Sequence, residues 1–341
     1  MPLGTRMVRS MKKILITGSL GLTGSACVEL FREEGWEVVG VDNNSRSTFF
    51  GTKRQNFPGE YKFYELDLRD EDEVENLFKQ KFDAVVHCAA QPSHDYATDH
   101  VLEDFDVNAR ATVILLEATR KYCPDAVFVH VSTDKVYGEN MEVPLEEQLT
   151  RYVPAQGLPE AFNESLGLDF ARDRSFFGCS KAASDMYAQE YAARFNMKVG
   201  IFRPGCITGK NHQGAEQHGF LAYLAKCIRE GKPYTVYGFK GKQVRDQIHA
   251  RDIARAFGAF IANPRTGAVY NIGGGLSRSV SVLEAAQLLE EATGKPAILT
   301  FAEGRKGDRC YDVHDITTFK KDFPDWDYQY SLEDIIKDLS I

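Results

Sequence analysis

Thr17-Gly18-Ser19-Leu20-Gly21-Leu22-Thr23-Gly24 follows the apolar run Ile14-Leu15-Ile16 and leads into Ser25-Ala26-Cys27-Val28-Glu29-Leu30-Phe31, a stretch of helical character. A strand, a turn with glycines three apart and a helix, in that order, predict a specific piece of backbone. Gly18 permits the tight turn, Gly21 lets a ligand approach the main chain, and Gly24 lets the helix pack closely on the strand. The first N–H groups of such a helix have no partner within it and carry partial positive charge, so together they can receive a phosphate. The glycine spacing alone matches many unrelated loops. Its flanks make it specific, and Glu37-Val38-Val39-Gly40-Val41-Asp42 reads as a second strand ending in an acid. The combination predicts a dinucleotide-binding turn.

Outward from this turn, apolar and β-branched runs recur at 13–17, 36–41, 61–66, 83–88, 126–131, 197–203 and 268–272. Amphipathic stretches such as 72–80, 101–122 and 181–195 lie between them. Near-continuous apolar strands alternating with helices predict a parallel sheet covered on both faces. The expected fold is α/β, a doubly wound parallel (Rossmann) sheet with a smaller, interleaved C-terminal substrate domain. Residues 1–11 read as a disordered lead-in. The dinucleotide-binding domain is expected over 12–203, with returning segments near 234–262 and 267–273. The second, discontinuous domain takes most of 204–341 and includes a helix near 219–231. Ligands of such sheets bind at the carboxyl ends of the strands.

Composition narrows the function. A formal charge of −8 over 341 residues gives no basic field for nucleic acid or an anionic membrane. No apolar run approaches the roughly 18 residues of a membrane span. Seven cysteines are scattered without a C-x-x-C pair, which predicts reduced thiols in a cytoplasmic protein and no structural metal.

Asp42 lies 24 residues after Gly18. A carboxylate there, with Asn43 beside it, accepts the ribose hydroxyls of NAD and repels a 2′-phosphate; the alternative is a solvated loop acid. Arg46 pulls the other way, because a nearby arginine can accept the phosphate of NADP. NAD is the expected cofactor. Asp67-Leu68, after the third strand, either meets the adenine or forms a turn.

A further series stands in order: His87-Cys88-Ala89-Ala90-Gln91, Asp106-Val107-Asn108-Ala109, Ser132-Thr133-Asp134-Lys135-Val136-Tyr137-Gly138, Gly178-Cys179-Ser180-Lys181, Arg203-Pro204-Gly205, Gly241-Lys242-Gln243-Val244-Arg245-Asp246 and Asn271-Ile272-Gly273-Gly274. From about residue 12 to 335 the chain resembles the extended short-chain dehydrogenase/reductases, specifically the NAD-dependent epimerase/dehydratases of nucleotide sugars. Three features resemble the CDP-paratose (CDP-tyvelose) 2-epimerases within that family. They are the wording around Lys242–Asp246, the 38 residues between Gly138 and Phe177, and the words Arg151-Tyr152 and Leu168-Asp169-Phe170. The resemblance implies a nucleotide-diphospho-sugar substrate, oxidised at a ring carbon by bound NAD and reduced again on the opposite face. It also implies a homodimer paired through the stretches 101–122 and 181–195. It assigns Gly18, Gly21, Leu22, Gly24, Ala89, Ala90, Gln91, Asn108, Ser132 and Arg203 to the cofactor, and Lys181 to the nicotinamide ribose. Gln91 and Thr133 fall to the sugar, and Arg245 and Arg309 to the diphosphate, although either arginine could instead form a surface salt bridge.

One position departs from the pattern. The family's proton-transfer residue is a tyrosine four before the lysine, and here Phe177 stands there; no tyrosine in the chain is followed by lysine at i+4. A tyrosine of pKa about 10 acts as a base at neutral pH only when that pKa is lowered, as a nearby ammonium does. Phenylalanine keeps the shape and loses the proton. Three readings follow: an engineered Tyr→Phe change, a natural branch with another base, or a pseudoenzyme that binds or senses NAD. Phe176, where proline or leucine is usual, and Asp134, where asparagine is frequent, favour the natural branch. Asp134 and Lys135 occupy the places of an acid and a base in related dehydratases. They are the expected replacement, they raise a dehydratase as the alternative activity, and their bland alternative is a strand-end ion pair. His94, in the loop after the fourth strand, is the second candidate, since a histidine's pKa suits acid–base work; otherwise it is a hydrogen-bonded structural residue.

Overall fold

Lys13–Thr17, Glu37–Asp42, Lys62–Glu65, Ala84–His87, Val127–Val131, Lys198–Pro204 and Ala268–Ile272 form one seven-stranded sheet in which every pairing is parallel. Across the sheet they run third, second, first, fourth, fifth, sixth, seventh. The order therefore reverses between Lys13–Thr17 and Ala84–His87, which opens a crevice at their carboxyl ends. The computed structural model of the chain describes residues 11–45, 61–138, 144–169, 171–216, 219–304 and 308–341; the lead-in before Met11, Arg46 and Phe170 lie outside them.

Side chains alternate faces along a strand, and both faces here are covered. Ile14, Ile16, Val86 and Val129 pack under the helices Leu22–Glu33 and Ala250–Ala262, with Phe31, Phe257 and Phe260 fully buried. Leu15, Val39, Val85 and Phe128 face the helices Glu71–Phe78, Ala111–Tyr122 and Phe176–Phe195. Burial on both sides is why the inner strands read as nearly continuous apolar runs, whereas the edge strand Lys62–Glu65 is only partly covered.

A second unit is built on Val244–His249, which pairs with Ser279–Ser281, Tyr311–Asp312 and Cys206–Thr208. Pro233–Tyr237 pairs with Ile298–Ala302, and the helices Phe220–Glu230, Val282–Thr293 and Leu332–Ser340 close a separate core around Leu224, Leu289 and Ile335. This corrects the expected return of 234–262 to the main sheet. Only Ala250–Ala262 returns, carrying Phe257 and Phe260. The strand before it, which bears Arg245, Asp246 and Gln247, takes its partners in the second unit instead. Conversely, Ile316, Phe319, Phe323 and Trp326 from the C-terminal part pack on the main core. Among the described residues no helix is long and apolar enough to cross a membrane, and all seven cysteines are free.

The expected helix over 101–122 is interrupted. Val101–Phe105 passes through one π-turn, Asp106–Arg110, into Ala111–Tyr122. Asn108 sits in that wide turn. Its Oδ1 accepts from Gln91 N at 2.9 Å, and its Nδ2 lies 3.0 Å from Gln91 O, 3.0 Å from Asp104 Oδ1 and 3.1 Å from Ser180 Oγ. In the long insertion, the hairpin Leu145–Glu147/Tyr152–Pro154 is fastened to the second unit by Arg151, whose Nη2 meets Glu284 Oε2 at 2.5 Å. Phe162, Leu166 and Leu168 then cover Val136, Tyr137 and Ala182.

Candidate active site

A cleft of about 440 Å³ follows the carboxyl ends of the strands, from Asp42 and Asp67, past the glycine turn, to Thr133, Phe177 and Arg245. At the glycine turn the backbone leaves no room for side chains. Gly18 has φ +63°, and a Cβ there would lie 2.8 Å from Ala89 Cα; a Cβ on Gly24 would lie 2.0 Å from Gly18 O. The helix Leu22–Glu33 starts at Gly21 with no side-chain cap, so its first N–H groups are left for a ligand. Asp42 is fixed at the mouth of the turn, where Oδ2 accepts from Leu20 N at 3.1 Å and Oδ1 from Asn44 N at 2.7 Å. Asp67 accepts from Asn43 Nδ2 at 3.2 Å and from Arg69 at 2.9 and 2.7 Å, and the Arg69 guanidinium holds its carboxyl below the usual range. Uncapped N–H groups, a close backbone approach and a fixed acid on the next strand suit an adenine dinucleotide.

The other end of the cleft is dense with charge. Thr133 Oγ1 donates to Asp134 Oδ1 at 3.1 Å, while Asp134 Oδ2 receives Lys135 Nζ at 2.8 Å and Arg309 Nη1 at 3.0 Å. Lys135 also reaches Asp312 Oδ2 at 2.9 Å, and Arg309 reaches Asp312 at 3.2 Å and Gly138 O at 2.5 Å. Burial opposes the charge on Lys135, but Asp134 and Asp312 outweigh it and raise its pKa. Asp134, Asp312 and His314 approach one another as cation ligands would, yet Lys135 and Arg309 already neutralise the two carboxylates. Arg245 Nη2 is 2.5 Å from both Asp308 Oδ1 and Arg309 O. Behind them, Asp246 Oδ1 holds His314 Nδ1 at 2.9 Å and Oδ2 accepts from His314 N at 3.1 Å. Burial pulls the His314 pKa down, but Asp246, then Asp312 and Asp134, raise it to about 9.

Between the two ends lies the Phe176–Phe195 helix. Its N-cap Ser175 accepts from Gly178 N at 3.2 Å, and the same Oγ lies 2.8 Å from His94 Nδ1. The His94 and Phe177 rings meet edge to face with centroids 4.9 Å apart. One turn on, Lys181 Nζ donates to Val131 O at 2.7 Å, and burial brings its pKa down to about 8.

Comparison with known proteins assigns this arrangement. Residues 14–273 match the model of the NAD dependent epimerase/dehydratase family. The chain belongs to the NAD-dependent epimerase/dehydratase family. It is 32% identical to the CDP-paratose 2-epimerase of Salmonella typhi, over 94% of this chain and 96% of that protein. It is 29% identical to the dTDP-glucose 4,6-dehydratase of Haemophilus influenzae, over 95% and 90%. The UDP-glucose 4-epimerase of Thermus thermophilus, solved in complex with NAD, superposes with a TM-score of 0.79 at 27% identity, over 96% and 97%. NAD is the cofactor of this family, as the glycine turn and Asp42 predict.

Within this epimerase/dehydratase framework, every described site residue expected from the sequence borders the cleft except Asn108, Arg203 and Arg309, and Arg46 lies outside the described residues. Asn108 acts from behind through its bonds to Gln91. Arg203 is buried against Asp185, at 2.8 and 2.9 Å, and the Tyr137 hydroxyl at 3.0 Å, so it does not reach the cofactor side. Arg309 is likewise buried in the carboxylate network rather than open to a ligand. The sequence reading missed Asp312 and the Asp246–His314 pair. A signal for that pair existed in Gly205 and Gly273, since a Cβ on Gly205 would lie 2.6 Å from His314 Cε1 and one on Gly273 2.4 Å from Asp246 Oδ2.

Proposed function

We propose that the chain is an NAD-dependent epimerase of a nucleoside-diphospho-sugar, of the 2-epimerase type. The observation that carries this over a dehydratase is the closure of Asp134 and Lys135 into a buried ion network. Elimination of water needs a free base beside the sugar, and here one member of the pair is an ammonium and the other a carboxylate already bonded to two cations. The 2-epimerase-like words around the insertion support the same reading, as does the similarity to the Salmonella typhi enzyme.

NAD, when bound, supplies reversible acceptance of a hydride and is restored in each turnover. The chain's own residues divide the remaining work. The glycine turn and the uncapped helix receive the pyrophosphate, and Asp42 the adenosine ribose. Lys181 orients the nicotinamide ribose while Thr133 holds the sugar hydroxyl. Arg245 takes the diphosphate by exchanging Asp308 for it, since a planar guanidinium suits bidentate phosphate contacts. Phe177 stands at the tyrosine position of a natural branch. The protein works in the cytoplasm as a homodimer, with Leu102, Phe105, Met186 and Tyr187, all exposed in the single chain, covered at the interface.

Incubating the purified protein with CDP-paratose and with CDP-, UDP-, dTDP- and GDP-glucose, followed by NMR and mass spectrometry, tests the activity. An epimer of unchanged mass is expected. A product that has lost water would make the chain a dehydratase, and binding without conversion of any of these would make it a pseudoenzyme.

A further inference from the structure

Lys181 is in place at one helical turn from Phe177, but the ring before it carries no proton. Of the titratable groups at this end of the cleft, Lys135 is an ammonium and Asp134 is bonded to Thr133, Lys135 and Arg309. His314 keeps its proton against Asp246. His94 differs. It borders the cleft, its ring packs on Phe177, and Nδ1 alone is engaged, by Ser175 Oγ at 2.8 Å. Among the described residues its Nε2 has no hydrogen-bond partner.

We propose that His94 is the catalytic acid–base group of this site, exchanging a proton between its Nε2 and a sugar hydroxyl held by Thr133. The inference rests on the epimerase reading and names the base that reading lacks. Its warrant is the identity of the partner on the other nitrogen. A carboxylate at Nδ1 would favour a fixed imidazolium, as Asp246 does for His314. A serine hydroxyl does not fix the charge. Ser175 Oγ already accepts from Gly178 N, and a hydroxyl has a second lone pair for Nδ1–H. That tautomer turns the Nε2 lone pair outward, and the same bond survives when Nε2 gains a proton. Burial and the Lys135 charge, against Asp134 and Asp95 and with Arg309 beyond, depress the His94 pKa to about 4. The ring is thus a free acceptor throughout the neutral range, with the basicity of an ordinary carboxylate.

The exchange balances. As the hydroxyl O–H bond breaks, Nε2–H forms, and the carbinol hydrogen leaves with its electron pair to the nicotinamide dinucleotide that serves as oxidant. When the carbonyl is reduced on its other face, Nε2–H returns its proton to the oxygen, and imidazole and cofactor end as they began.

Conversion of CDP-paratose, or of whichever nucleotide sugar from the panel above the parent converts, is compared in the parent, H94Q and the double variant H94Q/F177Y, with NAD and substrate affinity measured by titration. H94Q is expected to lower kcat by about a hundredfold or more, the scale of a positioned acid–base group, with both affinities retained. H94Q/F177Y is expected to recover at least about tenfold of that loss, because Lys181 already stands ready to lower the phenol pKa. The parent's kcat/KM should stay level on the acid side down to about pH 4, where His94 takes up its proton. An H94Q protein as active as the parent, or a parent profile that already falls between pH 7 and 6, overturns the assignment while leaving the epimerase reading intact. A parent that converts none of these sugars removes the reading and the inference together.

Discussion

His314 has its charge set by the fold, and that control has a consequence in solution. Its folded pKa of about 9 stands above the roughly 6.5 of an unfolded histidine. Pairing with Asp246 therefore contributes stability that is complete below about pH 6.5 and is lost as pH rises through about 9. The shift corresponds to roughly 3 kcal/mol. Urea unfolding across this window should show the parent losing stability toward high pH and H314N losing much less. A slope unchanged in H314N would assign the dependence to other groups. At this scale the sequence was only partly legible. Thr133 and Lys181 could be placed at the cleft because each sits in a local word. The pairing of Asp134 with Arg309 could not, because 175 residues separate them and nothing local to either names the other. The same distance explains why Asp134 and Lys135 looked like an acid and a base, when the fold spends their charges on Asp312 and Arg309.

Elements were legible where burial imposed a period. The seven strands of the main sheet emerged within a residue or two of their expected bounds, the inner ones because they are buried on both faces, although the edge strand Lys62–Glu65 is only partly covered. The glycine turn was legible for a steric reason that the structure makes quantitative. At Gly24 a methyl group would stand 2.0 Å from the Gly18 carbonyl oxygen, so helix and turn would have to separate. G24A is expected to cost roughly 1–3 kcal/mol of stability, the range of overpacked sites, and to weaken NAD binding beyond that of the parent by at least tenfold in a fluorescence titration. Normal NAD affinity in a folded G24A protein would mean that the cofactor does not use this turn. The π-turn at Asp106–Arg110 was not legible. One extra residue in a helix shifts the apolar stripe by only a fraction of a turn, and amphipathic periodicity tolerates that. The part of the expected 234–262 return before Ala250 was misassigned because short apolar runs suit a strand of either sheet. It holds two strands with partners elsewhere: Pro233–Tyr237 pairs with Ile298–Ala302, and Val244–His249 with Cys206–Thr208, Ser279–Ser281 and Tyr311–Asp312.

At the scale of the whole molecule, the Arg245 end of the cleft is already occupied by the protein's own charge. Arg245 is bonded to Asp308, so under the proposed function a nucleotide sugar competes with that carboxylate. R245A should weaken nucleotide-sugar binding by about 2 kcal/mol, near thirtyfold, with NAD binding unchanged, whereas D308N should tighten it. Isothermal titration with the converted sugar nucleotide reads both. Equal affinity in all three proteins would leave Arg245 a surface residue. The exposed apolar side chains on the 101–105 and 176–195 helices lead to the expectation of a dimer at micromolar concentration in sedimentation, disrupted by L102K/M186K; a monomeric parent would reject it. Asn108 carries one more consequence. Four hydrogen bonds gather residues 91, 104 and 180 onto a single side chain, so the wall of the cleft that bears His94 and the helix that bears Lys181 come into register through one amide. Removing that amide would therefore release both walls together, so a change at residue 108, which does not itself border the cleft, reaches two of its sides at once.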